Sequence, residues 1–210
     1  MSIIRYFGSL SMPHKNNARH SGNGNLRIIA GKWRGRKLSI AEQEGLRPTS
    51  NRIRETLFNW LTVYIENARI LDCFSGSGAL ALESLSRGAS EAIILEKASH
   101  VADNIKSNLA LLSCSQGKVI NTDSMTWLAK PANKAFDIIF LDPPFRNGLL
   151  KTVCNLLSAN GYACPESIVY VEVEAEAMKN KEVLLLMPPA WSMIRGKTAG
   201  QVHYSLWRVG

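Results

Sequence analysis

Hydrophobic and polar residues follow two alternating patterns along most of the chain. Short apolar runs predict buried strands, and longer segments with apolar residues at every third or fourth position predict helices. The strand-like runs cover residues 70–74, 92–95, 119–120, 136–141, 168–173 and 183–187. The helical segments between the first five runs cover residues 79–87, 98–112, 124–130 and 149–159. Strands that alternate with helices predict a mostly parallel sheet with helices on both faces, a Rossmann-like doubly wound α/β fold.

The last strand of the predicted sheet has a different pattern. Apolar and polar residues alternate over residues 201–208, which predicts a seventh strand. This strand is reached through Pro188-Pro189 rather than through a helix, so we expect it to run antiparallel to its neighbour. The predicted fold is therefore a seven-stranded sheet with an antiparallel C-terminal strand.

The N-terminal part of the chain does not share the strand–helix alternation. Residues 1–25 are polar, rich in turn-forming residues and aperiodic, which predicts a disordered arm. Two strand-like runs at 26–30 and 36–40 predict a β-hairpin, and apolar residues at helical spacing predict a helix capped by Thr49 or Ser50. We predict three segments: the arm, a hairpin-and-helix extension over residues 26–66, and a catalytic domain over residues 67–210.

Charge separates the extension from the catalytic domain. Of the net charge of +8, residues 1–54 contribute +9 with eleven Lys or Arg and two acids, whereas residues 55–210 contribute −1. A concentrated basic segment attracts the phosphates of nucleic acid; a tail that only aids solubility is the alternative. The residues predicted to bind nucleic acid are Lys32, Trp33, Arg34, Arg36, Arg47 and Arg52.

Two of these assignments carry an explicit alternative. The ring of Trp33, displayed between Lys32 and Arg34, is suited to stack on a base, but it could equally pack onto the body of the domain. Arg52 and Arg54 lie near the start of the predicted helix, where they either meet an anionic partner or are solvated.

Composition argues against several other classes of protein. No apolar run approaches the ~20 residues of a membrane-spanning helix, so we expect no membrane partner. The first residues lack the pattern of a secretory signal, which favours a cytoplasmic location, with Met1 or Met12 as the start. The four cysteines and four histidines lack the spacing of metal ligands, and no metal is expected.

A glycine-containing loop follows the first strand of the predicted parallel sheet. In doubly wound sheets, ligands bind beyond the carboxyl ends of the strands. The loop reads Asp72-Cys73-Phe74-Ser75-Gly76-Ser77-Gly78, and its glycines allow a tight turn and close approach of a ligand to the backbone. The third glycine of a dinucleotide fingerprint is replaced, which disfavours NAD. We predict that Asp72, Phe74, Gly76 and Gly78 bind a cofactor; a plain strand-to-helix turn is the alternative.

Acidic residues follow the next two strands. Glu96 ends the second strand, twenty-four residues after Asp72, where a carboxylate can accept hydrogen bonds from both hydroxyls of a ribose. Asp123 and Ser124 follow the third strand, where a carboxylate and a neighbouring N–H can contact adenine. The alternatives are a surface acid for Glu96 and a helix N-cap for Asp123. Together with the loop, these residues predict a nucleoside cofactor.

The fourth strand ends in Asp142-Pro143-Pro144-Phe145. The prolines fix the backbone, so the Asp142 side chain and the Pro143 carbonyl are presented as two acceptors for one amine. Such acceptors orient a planar exocyclic amine and favour its lone pair toward a methyl donor, while Phe145 stacks on the base. We therefore predict these four residues as the catalytic set of a methyltransferase; a rigid turn with a core phenylalanine is the alternative.

The same two motifs resemble those of the bacterial RsmD family, which methylates guanine N2 in small-subunit ribosomal RNA. The resemblance extends to the segments at residues 26–38, 46–49, 52–61 and 199–202 and covers about residues 24–208. It implies that S-adenosylmethionine is the cofactor, with Gly76 and Gly78 at its methionine end, Glu96 on its ribose and Asp123 on its adenine. It also implies that Asp142 and Pro143 hold the guanine amine.

The resemblance also implies a substrate and an oligomeric state, and it leaves alternative functions open. The expected substrate is 16S ribosomal RNA, free or within the assembled 30S particle, and the expected state is a monomer. Because the Asp-Pro-Pro-Phe tetrapeptide serves any planar amine, methylation of adenine N6 in nucleic acid or of a protein glutamine remains an alternative. A catalytically idle RNA-binding assembly factor is the alternative from another class.

Overall fold

The computed structural model describes residues 25–42, 50–143, 148–180 and 182–210. The predicted arm, apart from Asn25, lies outside these residues, and so do Arg47, Pro144 and Phe145. Among the described helices, none combines the length and apolarity that a bilayer-spanning segment needs.

A seven-stranded mixed sheet forms the centre of the molecule, with the strand order β5-β4-β3-β6-β7-β9-β8. Its strands are β3 (Arg69–Asp72), β4 (Glu91–Glu96), β5 (Gly117–Asn121), β6 (Ile138–Leu141), β7 (Ile168–Glu174), β8 (Trp191–Ala199) and β9 (Val202–Val209). The first five are parallel, and β9 pairs antiparallel with both β7 and β8. The predicted doubly wound sheet with an antiparallel C-terminal strand is confirmed.

Helices cover both faces of the sheet. They are α1 (Asn51–Leu61), α2 (Ala79–Ser86), α3 (Ser99–Leu111), α4 (Ser124–Leu128), α5 (Leu149–Ala159), α6 (Ala175–Lys179) and α7 (Glu182–Leu186). Ser50 caps α1 by accepting a hydrogen bond from the N–H of Ile53, as one of the two predicted caps. One apolar core lies between the sheet and α1, α2 and α3, and a second lies on the opposite face against α5.

One predicted strand is wrong. Residues 183–186 belong to the short helix α7; Val183 of the helix and Met187, which directly follows it, are both buried. Leucine and methionine are good helix formers, and a five-residue apolar run has no period that separates helix from strand. The strand that the sequence did not predict is β8, whose middle residues are mostly exposed because β8 lies at the edge of the sheet.

The predicted N-terminal hairpin is present and packs onto the domain. Its strands are β1 (Asn25–Arg27) and β2 (Lys37–Ser39), paired antiparallel. Leu26, Ile28 and Leu38 are buried in the same apolar core as α1, α2 and the sheet. The hairpin is therefore joined to the sheet by a continuous core.

Polar contacts fix the hairpin turn against the C-terminal half of α2. The N–H of Lys32 donates to the carbonyl of Ser86 at 2.7 Å, and the N–H of Trp33 donates to the Ser86 hydroxyl at 3.0 Å. Gly31, at φ +80°, approaches so closely that a Cβ there would lie 1.8 Å from the Ser86 carbonyl oxygen. Only glycine fits this position, which allows the turn to dock on the helix.

Glu83 of α2 is a fully buried carboxylate that binds main-chain N–H groups of the hairpin. It accepts hydrogen bonds from the N–H groups of Ile29 (2.8 Å) and Ala30 (3.0 Å) and from Arg87 Nε (2.7 Å). Arg54 of α1 lies 3.9 Å away and is itself buried. We call Glu83, Arg54 and Arg87 the buried ionic cluster. It connects the hairpin, α1 and α2.

Candidate active site

The carboxyl ends of three adjacent strands place three acidic side chains on one face of the sheet. Asp72 ends β3, Asp142 follows β6, and Glu172 lies near the end of β7. The register pairs Asp72 with Phe140 and Phe140 with Tyr170, so Asp142 and Glu172 lie one pleat beyond Asp72 on the same side. We call Asp72, Asp142 and Glu172 the acidic trio. It includes two of the residues that the sequence predicts.

The carboxyl group of Asp72 is placed to accept a hydrogen bond or to bind a cation. It is buried, and burial raises the pKa of its carboxyl to about 7, with a further contribution from the charge of Glu96. Its Oδ2 atom is buried and has no hydrogen-bond partner among the described residues. A buried carboxylate oxygen without a partner is costly, so a bound ligand with donor groups would satisfy it.

The glycine loop and Glu96 are brought together, as the sequence predicts. The N–H of Gly76 donates to Glu96 Oε2 at 3.0 Å, and the N–H of Ala98 donates to Glu96 Oε1 at 2.8 Å. Gly78 precedes α2 at φ +74°, and a Cβ there would lie 3.2 Å from Ile105 Cγ2. Phe74 is half-buried against the second core. The loop therefore presents main chain, rather than side chains, near a carboxylate.

Asp123 is the N-cap of α4, the alternative that its sequence context left open. Its Oδ1 atom accepts from the N–H groups of Met125 (2.9 Å) and Thr126 (3.3 Å). Lys97 lies 3.1 Å from Oδ2, and this contact, the largest cause, lowers the pKa of Asp123. Capping does not exclude a ligand contact, because Asp123 remains about one-third exposed.

The side chain of Ser124 links two loops of the site. Its hydroxyl is buried and donates to the carbonyl of Cys73, which ties the loop after β5 to the loop after β3. The hydroxyl proton is thus already donated within the protein, and the predicted contact of an N–H beside Asp123 with adenine stays a prediction. The tie holds Asp123 beside the glycine loop.

Asp142 and Pro143 directly follow β6, at the carboxyl end of the strand. Pro143 is buried and Asp142 is partly buried. Burial, the largest cause, raises the pKa of Asp142 well above its ordinary value, and the charges of Glu172 and Asp72 add to the effect. The two remaining members of the tetrapeptide, Pro144 and Phe145, lie outside the described residues, and their roles stay predictions.

Glu172 was missed by the sequence interpretation. It is buried, and the Tyr170 hydroxyl donates to its Oε1 at 2.7 Å. In the sequence, Glu172 interrupts the apolar run that begins at residue 168. An acid at an inward position of a central strand is rarely tolerated without a partner or a role, and that signal could have identified it.

The predicted nucleic-acid residues divide into exposed and buried ones. Lys32, Arg34 and Arg36 are exposed around the hairpin turn, and Arg52 is exposed at the start of α1. Trp33 is only 7% exposed and belongs to the apolar core. The ring is thus unavailable for stacking on a base, and the packing alternative holds. Arg54, considered with Arg52, is neither solvated nor free for an external anion because it contacts Glu83.

Metal binding has no support in the described geometry. Among residues 25–42, 50–143, 148–180 and 182–210, no three or more His, Cys, Asp or Glu side chains converge as metal ligands. All four cysteines are free thiols, and three of them are buried. The groups that remain for chemistry are carboxylates, a main-chain loop and hydroxyls.

Comparison with known proteins gives similarity over most of the chain. A family model described as Conserved hypothetical protein 95 matches residues 26–208. The Ribosomal RNA small subunit methyltransferase D of Escherichia coli K12 is 48% identical over 189 residues, which cover 90% of this chain and 92% of that protein. The protein of the same name from Haemophilus influenzae is 44% identical over 191 residues, 90% of this chain and 96% of its own length.

A solved structure shows the same fold. The yhhF protein of Escherichia coli superposes with a TM-score of 0.80 at 45% sequence identity, and the match covers 89% of this chain and 98% of that one. The agreement includes nearly the whole length of both proteins.

Proposed function

The chain belongs to the ribosomal RNA small subunit methyltransferase D family, and from this premise we propose that it methylates the exocyclic N2 amine of a guanine in 16S ribosomal RNA. S-adenosylmethionine is the proposed methyl donor. The observation that carries the proposal is the placement of Asp142 and Pro143 beside Asp72 at the carboxyl ends of β6 and β3. Those strand ends border the site where a doubly wound sheet binds ligands.

The residues present fit the proposed cofactor. S-adenosylmethionine would supply an electrophilic methyl group on a positively charged sulfur. Its amino-acid end would lie on the main chain of Gly76 and Gly78, with the buried Oδ2 of Asp72 as an acceptor for its donors. Its ribose hydroxyls would bind Glu96, and its adenine would lie near Asp123. The carboxylates of the acidic trio would stabilise the positive charge of the cofactor.

The chain's own contribution to catalysis is alignment of the amine. The Asp142 carboxylate and the Pro143 carbonyl would accept the two N–H groups of the guanine amine and so direct its lone pair out of the base plane. No strong base is required before the methyl group is transferred, because the amine attacks as a neutral group. The methylated nitrogen then carries one surplus proton, which would pass to the Asp142 carboxylate and from there to water. Positioning and fixed dipoles then supply most of the rate enhancement.

The proposed function has a direct test. Purified protein is incubated with radiolabelled S-adenosylmethionine and either free 16S ribosomal RNA or assembled 30S particles, and the labelled nucleoside is identified by mass spectrometry. We expect N2-methylguanosine from at least one of the two substrates. N6-methyladenosine would replace the guanine assignment, and absence of label from both substrates would contradict the proposal.

Three finer features accompany the proposal. We propose that the protein acts as a monomer in the cytoplasm and that the extension over residues 26–66 is its RNA-binding part. The exposed cations of the hairpin turn support the last point. The choice between free RNA and the 30S particle is left to the comparison of the two substrates.

Removal of the hairpin cations should weaken RNA binding. We expect the Lys32→Ala, Arg34→Ala, Arg36→Ala triple variant to bind 16S RNA more weakly and to lower the slope of log K against log salt by about two to three. Each lost side chain is a lost phosphate contact, and all three are exposed. Filter binding at four salt concentrations measures the effect.

The matched control removes three other exposed cations, Lys118, Lys130 and Lys134, by substitution with alanine. It changes the net charge equally but leaves the hairpin intact. An equal loss of affinity in both triple variants would mean that overall charge, rather than the hairpin, governs binding.

Glu96 should govern cofactor affinity. Glu96→Gln keeps an acceptor for the N–H of Gly76 but loses the charge that strengthens hydrogen bonds from ribose hydroxyls, so we expect about tenfold weaker binding of S-adenosylmethionine. Isothermal titration calorimetry measures it. Glu66→Gln, at an exposed position, is the control; equal affinities of the two variants would remove Glu96 from the cofactor site.

A further inference from the structure

An open groove lies on the α1 side of the sheet, between the end of α1 and the β8–β9 hairpin. Its volume is about 320 Å³, and its walls are formed by Trp60, Val63, Tyr64, Ile194, Arg195, Leu206 and Arg208. Val63 is 82% exposed. We call it the α1–β8 groove.

The groove lies on the same face of the sheet as the acidic trio but nearer the amino ends of the parallel strands. Its Leu206 and Arg208 pair with Tyr170 and Ile168, two and four residues before Glu172, so it begins about 7 Å along the strands from the trio. The ring of Trp60 stacks on Tyr204 with 5.4 Å between ring centroids, and Tyr204 is the strand partner of Glu172. Adjacent strands are about 4.8 Å apart, so Tyr204 lies roughly two strand spacings, about 10 Å, from the strand that carries Asp142. A single polynucleotide could therefore contact the groove and place a base at Asp142.

The charge of this region favours an anionic partner. Residues 187–210 contain Arg195, Lys197 and Arg208 and no acidic residue, although residues 55–210 together carry a slight negative charge. Arg195 and Lys197 are exposed on β8, and Arg208 lines the groove, where its guanidinium donates to the Tyr64 hydroxyl at 3.3 Å and meets Glu166 at 3.6 Å. Acidic residues elsewhere in residues 55–210 offset these cations, so the net charge does not reveal this second basic surface.

We propose that the α1–β8 groove is a second RNA-binding surface that holds the substrate strand next to its target guanine. This inference rests on the proposed function, because RNA is taken as the substrate. Arg195 and Lys197 contact phosphates, while Trp60 and Tyr64 offer ring edges to a base or sugar. Cations beside aromatic rings are the combination that binds single-stranded nucleic acid without reading its sequence.

Edge position suggests another role for the same cations. Lysine and arginine on an edge strand prevent pairing with a strand of another molecule. Without that protection, an exposed edge strand is a position where a protein partner or a second copy of the chain binds. The combination of rings, cations and proximity to Asp142 favours RNA, and the experiment separates the two occupants.

The test compares Arg195→Ala, Lys197→Ala with a matched double variant, Lys118→Ala, Lys130→Ala. Lys118 is exposed on β5, at the opposite edge of the same sheet. We expect the groove variant to bind 16S RNA about tenfold more weakly at moderate salt, with a salt slope lower by one to two. Its KM for RNA should rise, while its affinity for S-adenosylmethionine should equal that of the wild type.

Hydrogen exchange supplies a readout that does not depend on mutation. RNA should slow exchange of the backbone N–H groups of β8, and protein concentration alone should not. Groove and control variants with equal RNA affinity and slope would overturn the proposal. Protection of β8 that rises with protein concentration in the absence of RNA would also overturn it, since a second copy would then be the occupant.

Failure of the groove proposal is distinguishable from failure of the proposed function. RNA affinity is measured by filter binding without methyl transfer, so it tests the groove even if no nucleoside is methylated. Conversely, a wild-type protein that methylates guanine while the groove variant binds normally would leave the proposed function intact and remove only the groove.

Discussion

Asp142→Ala should lower kcat by about 100-fold or more while the Kd for S-adenosylmethionine changes by less than about twofold, in line with losses on removing one preorganised polar group. The alanine removes one of the two acceptors that orient the amine, and that alignment matters in the transition state rather than in cofactor binding. Single-turnover methylation of 16S RNA measures the first quantity, and calorimetry measures the second.

The pH dependence of the same residue gives an independent check. Burial and the neighbouring Glu172 and Asp72 raise the pKa of Asp142, so a larger fraction of it is protonated, and a poorer acceptor, at low pH. The rate of the wild type should therefore rise with pH as Asp142 loses its proton. Asp142→Asn, which cannot ionise, should lose the part of the rise that is due to this residue.

Asp103→Ala is the matched control for Asp142, because Asp103 is an exposed aspartate of α3 in a surface ion pair with Lys106. It should methylate at the wild-type rate. If Asp142→Ala also methylated at the wild-type rate, the alignment mechanism would be wrong, whatever the identity of the modified base.

Glu83→Ala should have the largest effect on stability, lowering the free energy of unfolding by about 3–5 kcal/mol, the usual cost of removing one partner from a buried ion pair. The substitution leaves the N–H groups of Ile29 and Ala30 without their acceptor and removes the negative charge that lies 3.9 Å from the buried guanidinium of Arg54. Urea denaturation followed by circular dichroism measures the difference.

Two further variants separate the causes. Glu83→Gln keeps an acceptor oxygen of nearly the same shape, so it isolates the effect of charge on Arg54 and Arg87. Glu91→Ala removes an acid whose side chain is 42% exposed and should cost no more than about 1 kcal/mol. A loss below that value for Glu83→Ala would show that the buried ionic cluster does not hold the extension.

The regular part of the fold could be predicted because its signals are local. Buried strands of a parallel sheet are continuous apolar runs, and β3, β4, β6 and β7 all have this form. The helix bounds of α5 agree with the prediction at both ends. β8 was missed because an edge strand is half solvated, so its sequence lacks the apolar run that marks a central strand.

Contacts between distant segments could not be predicted in the same way. Glu83 is one acid in a short helix whose residues are all buried, and its partners, the N–H groups of Ile29 and Ala30, lie more than fifty residues away in the chain. Trp33 had two compatible environments, and only the docking of the hairpin on α2 decides between them. A local sequence pattern predicts the surroundings of a residue only when the residues that contact it are close to it in the sequence.

The sequence predicted which residues lie at the site, but not which of their atoms form hydrogen bonds with each other. The glycine loop and Glu96 were expected to meet, and the N–H of Gly76 does donate to Glu96. The position of Ser124 after β5 predicted an N–H near adenine, but it did not indicate that the Ser124 hydroxyl donates to the carbonyl of Cys73. A strand-end position identifies the edge of a site but leaves open which way each side chain turns.

The close approach of Gly31 to Ser86 limits how this protein can be divided or recombined. The basic turn is seated on the C-terminal end of the helix whose other end begins at the glycine loop. A fragment that starts at residue 67 would therefore expose the apolar face of α2 and leave the Glu83 carboxylate with Arg87 but without its two main-chain donors. Exchange of RNA specificity between relatives should consequently require the hairpin and α2 to be transplanted as one unit. Substitutions in the two segments are expected to be tolerated only in compatible pairs.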